Sequence, residues 1–270
     1  MFWSNANDVT DFYTKESVNA LVDNWNSSII RIAMGVKESW DGGRGYIDSP
    51  NQQEAKVNAV VDAAVNKGVY VIIDFHTHEA EKYTTEATKF FEKMAKAHGK
   101  KANVIFEIYN EPIGQSWSTI KNYAKPVINA IRKNSDNLIV VGTPFYSQNV
   151  DEAANDPISE KNIAYTLHFY AGTHNDNLRD KAKTALDKGI ALFVTEWGAT
   201  NADGNGNANQ AETNKWMKFI KDNKLSHANW SVSDKNEGSS IVQSGQGING
   251  LETNKLTPTG EFVKEIIKKW

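Results

Sequence analysis

Residues 53–78 read QEAKVNAVVDAAVNKGVYVIIDFHTH, and this one stretch holds the repeating unit of the fold. Its first half, residues 53–66, sets apolar side chains at helical spacing. Gly68 follows where a helix end needs a residue free to adopt a left-handed backbone. Residues 70–75 are then almost continuously apolar, the pattern of a strand buried on both faces of a parallel sheet. The strand runs out in Asp74, His76 and His78.

The same unit recurs along the 270 residues. Strand-length apolar runs lie at 29–34, 70–75, 104–109, 138–142, 163–169, 191–195 and 228–232. Segments of helical spacing separate them at 85–98, 120–133, 178–188 and 211–223, with a last one at 259–270, and Gly189 repeats the capping position of Gly68. Even strand–helix alternation without a linker predicts one α/β domain over residues 1–270, a (β/α)8 TIM barrel. An open, doubly wound sheet is the competing architecture. Seven strands are counted, and the shortfall falls at the start. Residues 17–25 already read as the first helix, with only residues 1–4 ahead of the turn into it. The expected barrel therefore has a truncated or missing first strand, through a late start or a defect between its first and last strands.

Lys and Arg total 30 against 33 Asp and Glu, a net charge of −3 with both signs spread along the chain. The basic face of a nucleic-acid binder is lacking. There is no cysteine, which removes disulfides, thiol nucleophiles and thiolate metal sites. No apolar run reaches the roughly 18 residues of a membrane-spanning helix. The opening MFWSNAND lacks the basic-then-apolar form of a signal segment. The unusual feature is aromatic content, with 8 Trp, 9 Tyr and 11 Phe, many beside Asn, His and Glu.

In a barrel the βα loops share one face, and chemistry gathers at the C-terminal ends of the strands. Those ends carry Arg31, Asp74-Phe75-His76-Thr77-His78, Asn110-Glu111-Pro112, Pro144-Phe145-Tyr146, His168-Phe169-Tyr170, Glu196-Trp197-Gly198, and Trp230 with Asp234. Singly, most have ordinary structural explanations: Arg31 as partner of a buried carboxylate, Tyr170 and Trp230 as packing, His76 or His168 as satisfied core histidines. Glu111 and Glu196 are harder to explain so, because a carboxylate at the end of a core strand is costly to desolvate unless paired or used. Two carboxylates across an aromatic-lined barrel mouth describe a glycosidase site. One is protonated to assist the leaving oxygen, and the other is ionised to attack or to activate water. On this reading Glu111, beside a like charge in a partly dry cleft, has a raised pKa.

Arg31, IIDFHTH (72–78), IFEIYNEP (105–112), LHFYAGTH (167–174), FVTEWG (193–198) and ANWS (228–231) occur in that order. Together they resemble glycoside hydrolase family 5, most closely its bacterial endo-β-1,4-glucanases, the cellulases, over essentially the whole chain. The resemblance implies a retaining endoglucanase without cofactor or metal, with Glu111 as general acid/base and Glu196 as nucleophile. Asn110 would bind the 2-hydroxyl of the attacked sugar, Tyr170 would hydrogen-bond Glu196, and Arg31 would support that carboxylate's charge. His76 and His168 would line the cleavage subsite, orienting hydroxyls or Glu111, and Trp230 would lie beneath the attacked sugar. Trp3 would stack a sugar further toward the non-reducing side, with Lys235 and Glu237 on its hydroxyls. Tyr146 stands where related sequences often carry Trp, which implies slightly weaker binding on the leaving-group side. The departure is at the N-terminus, where the family has a full first strand before the aromatic pair matched by Phe2-Trp3. The implied partner is an unbranched β-1,4-glucan or its cello-oligosaccharides, met by a secreted monomer, with no nucleic acid or membrane involved.

Other readings stay open. β-Mannanase, lichenase and xyloglucanase belong to the same family and differ by one hydroxyl or branch of substrate. His76-Thr77-His78 is also the His-x-His of metal-dependent barrel hydrolases, with His168 and Asp234 to complete a set. A non-catalytic carbohydrate-binding protein would share the aromatics but has no need of two glutamates.

Overall fold

The computed structural model describes residues 1–270. Seven strands form one parallel sheet in chain order: β1 (Ile29–Gly35), β2 (Tyr70–His76), β3 (Val104–Glu107), β4 (Ile139–Val141), β5 (Ile163–Tyr170), β6 (Leu192–Gly198) and β7 (His227–Asn229). Lys15–Trp25 precedes β1, and the main crossover helices are Pro50–Lys67, Thr84–His98, Trp117–Arg132, Asp176–Asp187 and Gln210–Asp222, with Pro258–Lys268 closing the chain. Helix 50–67 shows why the sequence folds this way. Pro50 opens it, Gly68 ends it at φ 74° with cap N–H groups on the Ala64 and Val65 carbonyls, and Val57, Val60, Val61 and Ala64 are buried.

The strands curl into a nearly closed (β/α)8-type barrel, and the period of two along each strand sorts side chains between two environments. Val71, Ile73 and Phe75 of β2, Phe106 of β3, and Leu167 and Phe169 of β5 belong to the large core that the helices complete. Their neighbours Ile72, Ile105, Val140, Ala164 and Phe193 form a separate apolar plug. Two residues further along the same strands, the plug gives way to polar groups: Asp74 follows Ile72, Glu107 follows Ile105 and Thr166 follows Ala164, all buried.

The expected shortfall lies between β1 and β7, which approach without pairing. Residues 1–4 bridge the upper part of that seam. The Met1 amino group donates to Arg31 O (3.0 Å), Ser4 N–H to Ala33 O (2.9 Å) and Phe2 N–H to Val232 O (3.2 Å). Below Met1 the seam widens into a cavity of about 530 Å³ whose lining includes Leu21, Ile30, Tyr70, Phe193 and Trp270. β7 covers only His227–Asn229 of an expected longer run; Trp230 N–H makes a last bond to Trp197 O (2.8 Å). The short helices Val150–Asn155 and Gly247–Glu252 lack an apolar period long enough to be read in advance.

Candidate active site

Arg31 sits at the floor of the mouth, buried, and faces three carboxylates at once. Its Nε meets Glu107 Oε2 at 2.7 Å, its Nη1 meets Glu196 Oε2 at 2.8 Å, and its Nη2 meets Asp74 Oδ2 at 2.9 Å and Asn110 Oδ1 at 2.8 Å. The planar guanidinium suits this task because its donors leave in fixed directions. Burial pushes Asp74 up to about 7, against the pull of Arg31, and burial raises Glu107 against the same pull. Asp74 Oδ2 also lies 2.6 Å from His76 Nδ1, while Asp74 Oδ1 has no hydrogen-bond partner. Neither Asp74 nor Glu107 was expected to hold Arg31. The signal was present in the alternation, since Ile72, Asp74 and His76 share one strand face, as do Ile105 and Glu107.

Glu196 reaches the mouth through an irregularity in β6. The β5–β6 ladder pairs Thr166 with Phe193 but His168 with Glu196, so β6 carries one extra residue there. A bulge of this kind re-aims the side chains beyond it. Thr195 Oγ1 and Glu196 thus both address the mouth, the first 2.9 Å from His168 Nε2, while Trp197 Nε1 turns away to His227 Nδ1. Tyr170 donates to Glu196 Oε1 at 2.6 Å, as expected, with Arg31 on the other oxygen.

Glu111 follows β3 and is gripped by two histidines. His168 Nδ1 is 2.7 Å from Oε1, and His78 Nε2 is 3.4 Å from Oε2. This reverses the expectation of a raised pKa. Burial does push Glu111 upward, but the hydrogen bonds from His168 and His78 and their charges outweigh it and hold the carboxyl well below its usual range. His168 is pushed up by Glu196 and Glu111 in spite of its burial. One donor atom each from Glu111, His168 and Glu196 falls within a 4.8 Å cluster, so a Glu111 oxygen and a Glu196 oxygen are no further apart than that.

Aromatics surround the pair. Trp230 stacks on His76 with ring centroids 5.3 Å apart and planes 7° from parallel, and Trp3 stands edge-on to His76 at 4.0 Å. Burial holds the His76 pKa well below its ordinary value. Trp40, which sequence reading passed over, continues the row outward, 5.4 Å from Trp3 and half exposed. Lys235 and Glu237 form an ion pair at 2.9 Å, and Lys235 lies over Phe2, whose ring is 5.3 Å from Trp230. Tyr146 lies beside His78, 6.5 Å ring to ring, and is partly exposed.

The His-x-His metal set is not assembled. His76 bonds Asp74 and His78 faces Glu111, while Asp234 accepts from Thr10 N–H, Thr10 Oγ1 and Gly247 N–H, anchoring loops. Glu111, His168 and Glu196 lie close enough to share a cation. Their atoms are engaged with Arg31, Tyr170, Thr195 and each other, and a guanidinium 2.8 Å from Glu196 opposes a second positive charge.

The cellulase family, glycosyl hydrolase family 5, matches residues 1–236. Endoglucanase Z of Dickeya dadantii is 54% identical over 273 residues, a match covering 100% of this chain and 62% of that protein. This chain therefore spans less than two thirds of that relative's length. A solved structure from Cytophaga hutchinsonii has a TM-score of 0.94 at 44% identity, covering 100% of this chain and 87% of the other. The catalytic domain of a Thermobifida fusca endoglucanase in complex with cellotetraose has a TM-score of 0.88 at 29% identity, covering 96% and 88%.

Proposed function

The chain belongs to the cellulase family, glycosyl hydrolase family 5, and we propose that residues 1–270 act as one retaining endo-β-1,4-glucanase unit on cellulose or soluble β-1,4-glucans. The observation that carries this reading is the pair of carboxylates whose oxygens approach within 4.8 Å. That is the short spacing of a double displacement, where an inverting pair stands about 6.5–9.5 Å apart to admit a water.

Glu196, with Tyr170 and Arg31 donating to its two oxygens, is the nucleophile. It attacks the anomeric carbon while Glu111 gives a proton to the departing glycosidic oxygen, leaving a glycosyl ester on Glu196. Water then attacks the anomeric carbon as Glu111 takes its proton, and the bond from that carbon to the Glu196 oxygen breaks, restoring the carboxylate. Asn110 has its carbonyl occupied by Arg31, which leaves the amide N–H2 to donate to the 2-hydroxyl. His168 orients Glu111. Trp230 with His76 supports the attacked sugar, and Trp3 with Lys235 and Glu237 serves the sugars beyond it. Tyr146 serves the leaving side.

Polymeric glucan cannot enter a cell, so the reaction belongs outside it, carried out by a monomer without membrane or nucleic acid. The similarity to endoglucanases favours unbranched glucan over mannan or xyloglucan. Reducing-sugar release on carboxymethylcellulose, lichenan, xyloglucan and mannan tests the substrate, and mannan-only release would overturn it. Glu196→Gln tests the chemistry. Its kcat should collapse while calorimetric affinity for cellotetraose stays within roughly tenfold, about 1.4 kcal/mol. Turnover that survives the substitution sinks the assignment.

A further inference from the structure

The double displacement leaves one titratable pair beside Glu111 without a task. His78 lies two residues beyond β2, with Nε2 3.4 Å from Glu111 Oε2 and Nδ1 3.9 Å from Glu38 Oε1. Glu38, in the loop after β1, turns this oxygen inward with no hydrogen-bond partner. His168 already occupies Glu111 Oε1. Oε2 is therefore the oxygen left to meet the glycosidic bond, and His78 is the group that faces it. The imidazole also lies within reach of two cleft aromatics, 5.6 Å from the Trp3 ring and 6.5 Å from the Tyr146 ring.

We propose that His78, backed by Glu38, is a positioning residue for the acid/base, holding the catalytic proton on its own Nε2 beside Glu111 Oε2 between turnovers and aiming that oxygen at the leaving sugar. This rests on the acid/base role of Glu111. In the resting site His78 is an imidazolium, its Nδ1–H toward Glu38 and its Nε2–H toward the Glu111 carboxylate. When substrate binds, the Nε2 proton passes to Oε2 and from there to the glycosidic oxygen as the C1–O bond breaks and the Glu196 ester forms. In the second step the attacking water gives a proton to Oε2, which returns it to Nε2. Proton count is conserved over the cycle.

The surrounding charges agree. His78 is pushed up by its hydrogen bond to Glu111 and by the charges of Glu111, Glu38 and Glu196, against its burial. Glu38 is raised by burial and by Glu79 and Asp41, against the pull of His78. From the barrel side the facing groups are His168 and Glu196, with His76, Arg31 and His174 behind them. A carboxyl held down by two histidines is a poor acid by itself. A carboxyl that shares a proton with one of them is not.

The test compares pH profiles of kcat/KM for the parent, His78→Asn and Glu38→Gln on two substrates. Cellotetraose needs its leaving sugar protonated, whereas 2,4-dinitrophenyl β-cellobioside does not. His78→Asn should lose roughly tenfold or more on cellotetraose, with the basic limb moved to lower pH, because the variant must hold the proton on Glu111 itself. It should stay within about threefold of the parent on the dinitrophenyl substrate, which also reports that it folds. Glu38→Gln should move the basic limb the same way by less. Equal losses on both substrates, or a basic limb that stays or rises in both variants, overturns the proposal. A parent inactive on both substrates fails the endoglucanase reading instead.

Discussion

The ring of Tyr170 lies so close to the backbone of Gly198 that a β-carbon on Gly198 would sit 2.3 Å from Tyr170 Cδ1. The two residues are direct partners in the β5–β6 ladder. The glycine is thus the space through which the tyrosine reaches Glu196. Gly198→Ala should push the ring aside and break its hydrogen bond to the carboxylate. A hydrogen bond to a charged group is worth about 1.5–3 kcal/mol, so kcat/KM should fall roughly 10- to 100-fold. Tyr170→Phe should cost about as much, and the double variant no more than either, since both remove one contact. Kinetics of the three variants check this, and additive losses would separate the two residues.

Arg31 carries the electrostatics of the floor. Arg31→Met would leave Asp74, Glu107 and Glu196 buried without their cation, at a cost of about 3–5 kcal/mol. The melting temperature should drop on the order of 10 °C, and activity should vanish with it. Arg31→Lys should recover part of the stability but little activity, because one ammonium cannot reach four acceptors in fixed directions. Calorimetric melts beside kinetics measure both.

His227 sets an acid limit on stability. It is buried, accepts from Trp197 Nε1, and meets the edge of Trp270 at 4.2 Å. Burial lowers its pKa to about 4 from an ordinary 6.5. A group depressed in the folded state contributes stability above its unfolded pKa and loses it as pH falls from 6.5 toward 4. The loss amounts to up to about 3 kcal/mol. His227→Gln keeps an acceptor for Trp197 without the titration. Urea unfolding at pH 7 and pH 4.5 should show a smaller acid loss in the variant, and identical losses would assign the acid sensitivity elsewhere.

Tyr146 offers a smaller face than tryptophan at the rim. Tyr146→Trp should tighten the leaving-group side by up to about 1 kcal/mol from added apolar contact, roughly fivefold. The measurement is KM on cellopentaose together with the yield of transglycosylation products. An unchanged KM and yield would move the leaving-group platform away from residue 146.

Much of this was legible along the chain because parallel strands are apolar runs and their ends are abrupt. Asn110, Glu111, Glu196, His168 and Tyr170 could be found by looking at the C-terminal end of each run. Glu107 could not be found that way, since it lies inside its run, and Asp74 stands at a strand end with nothing there to name its partner; only strict alternation marks both as facing the same way as Arg31. The protonation of Glu111 was misjudged for a different reason. Its sign depends on where two imidazole rings point, and His78 looks in sequence like half of a metal motif. The extra residue in β6 leaves no trace in composition at all, yet it brings Thr195 and Glu196 to the mouth together.

The reach of Arg31 sets an order of failure. From β1 one guanidinium fastens carboxylates of β2, β3 and β6, so a small parting of any of these strands loosens the nucleophile. Local openings cost less free energy than global unfolding. On warming, the guanidinium should lose its grip on Glu196 while the helices are still intact, so that the catalyst switches off several degrees before the fold does.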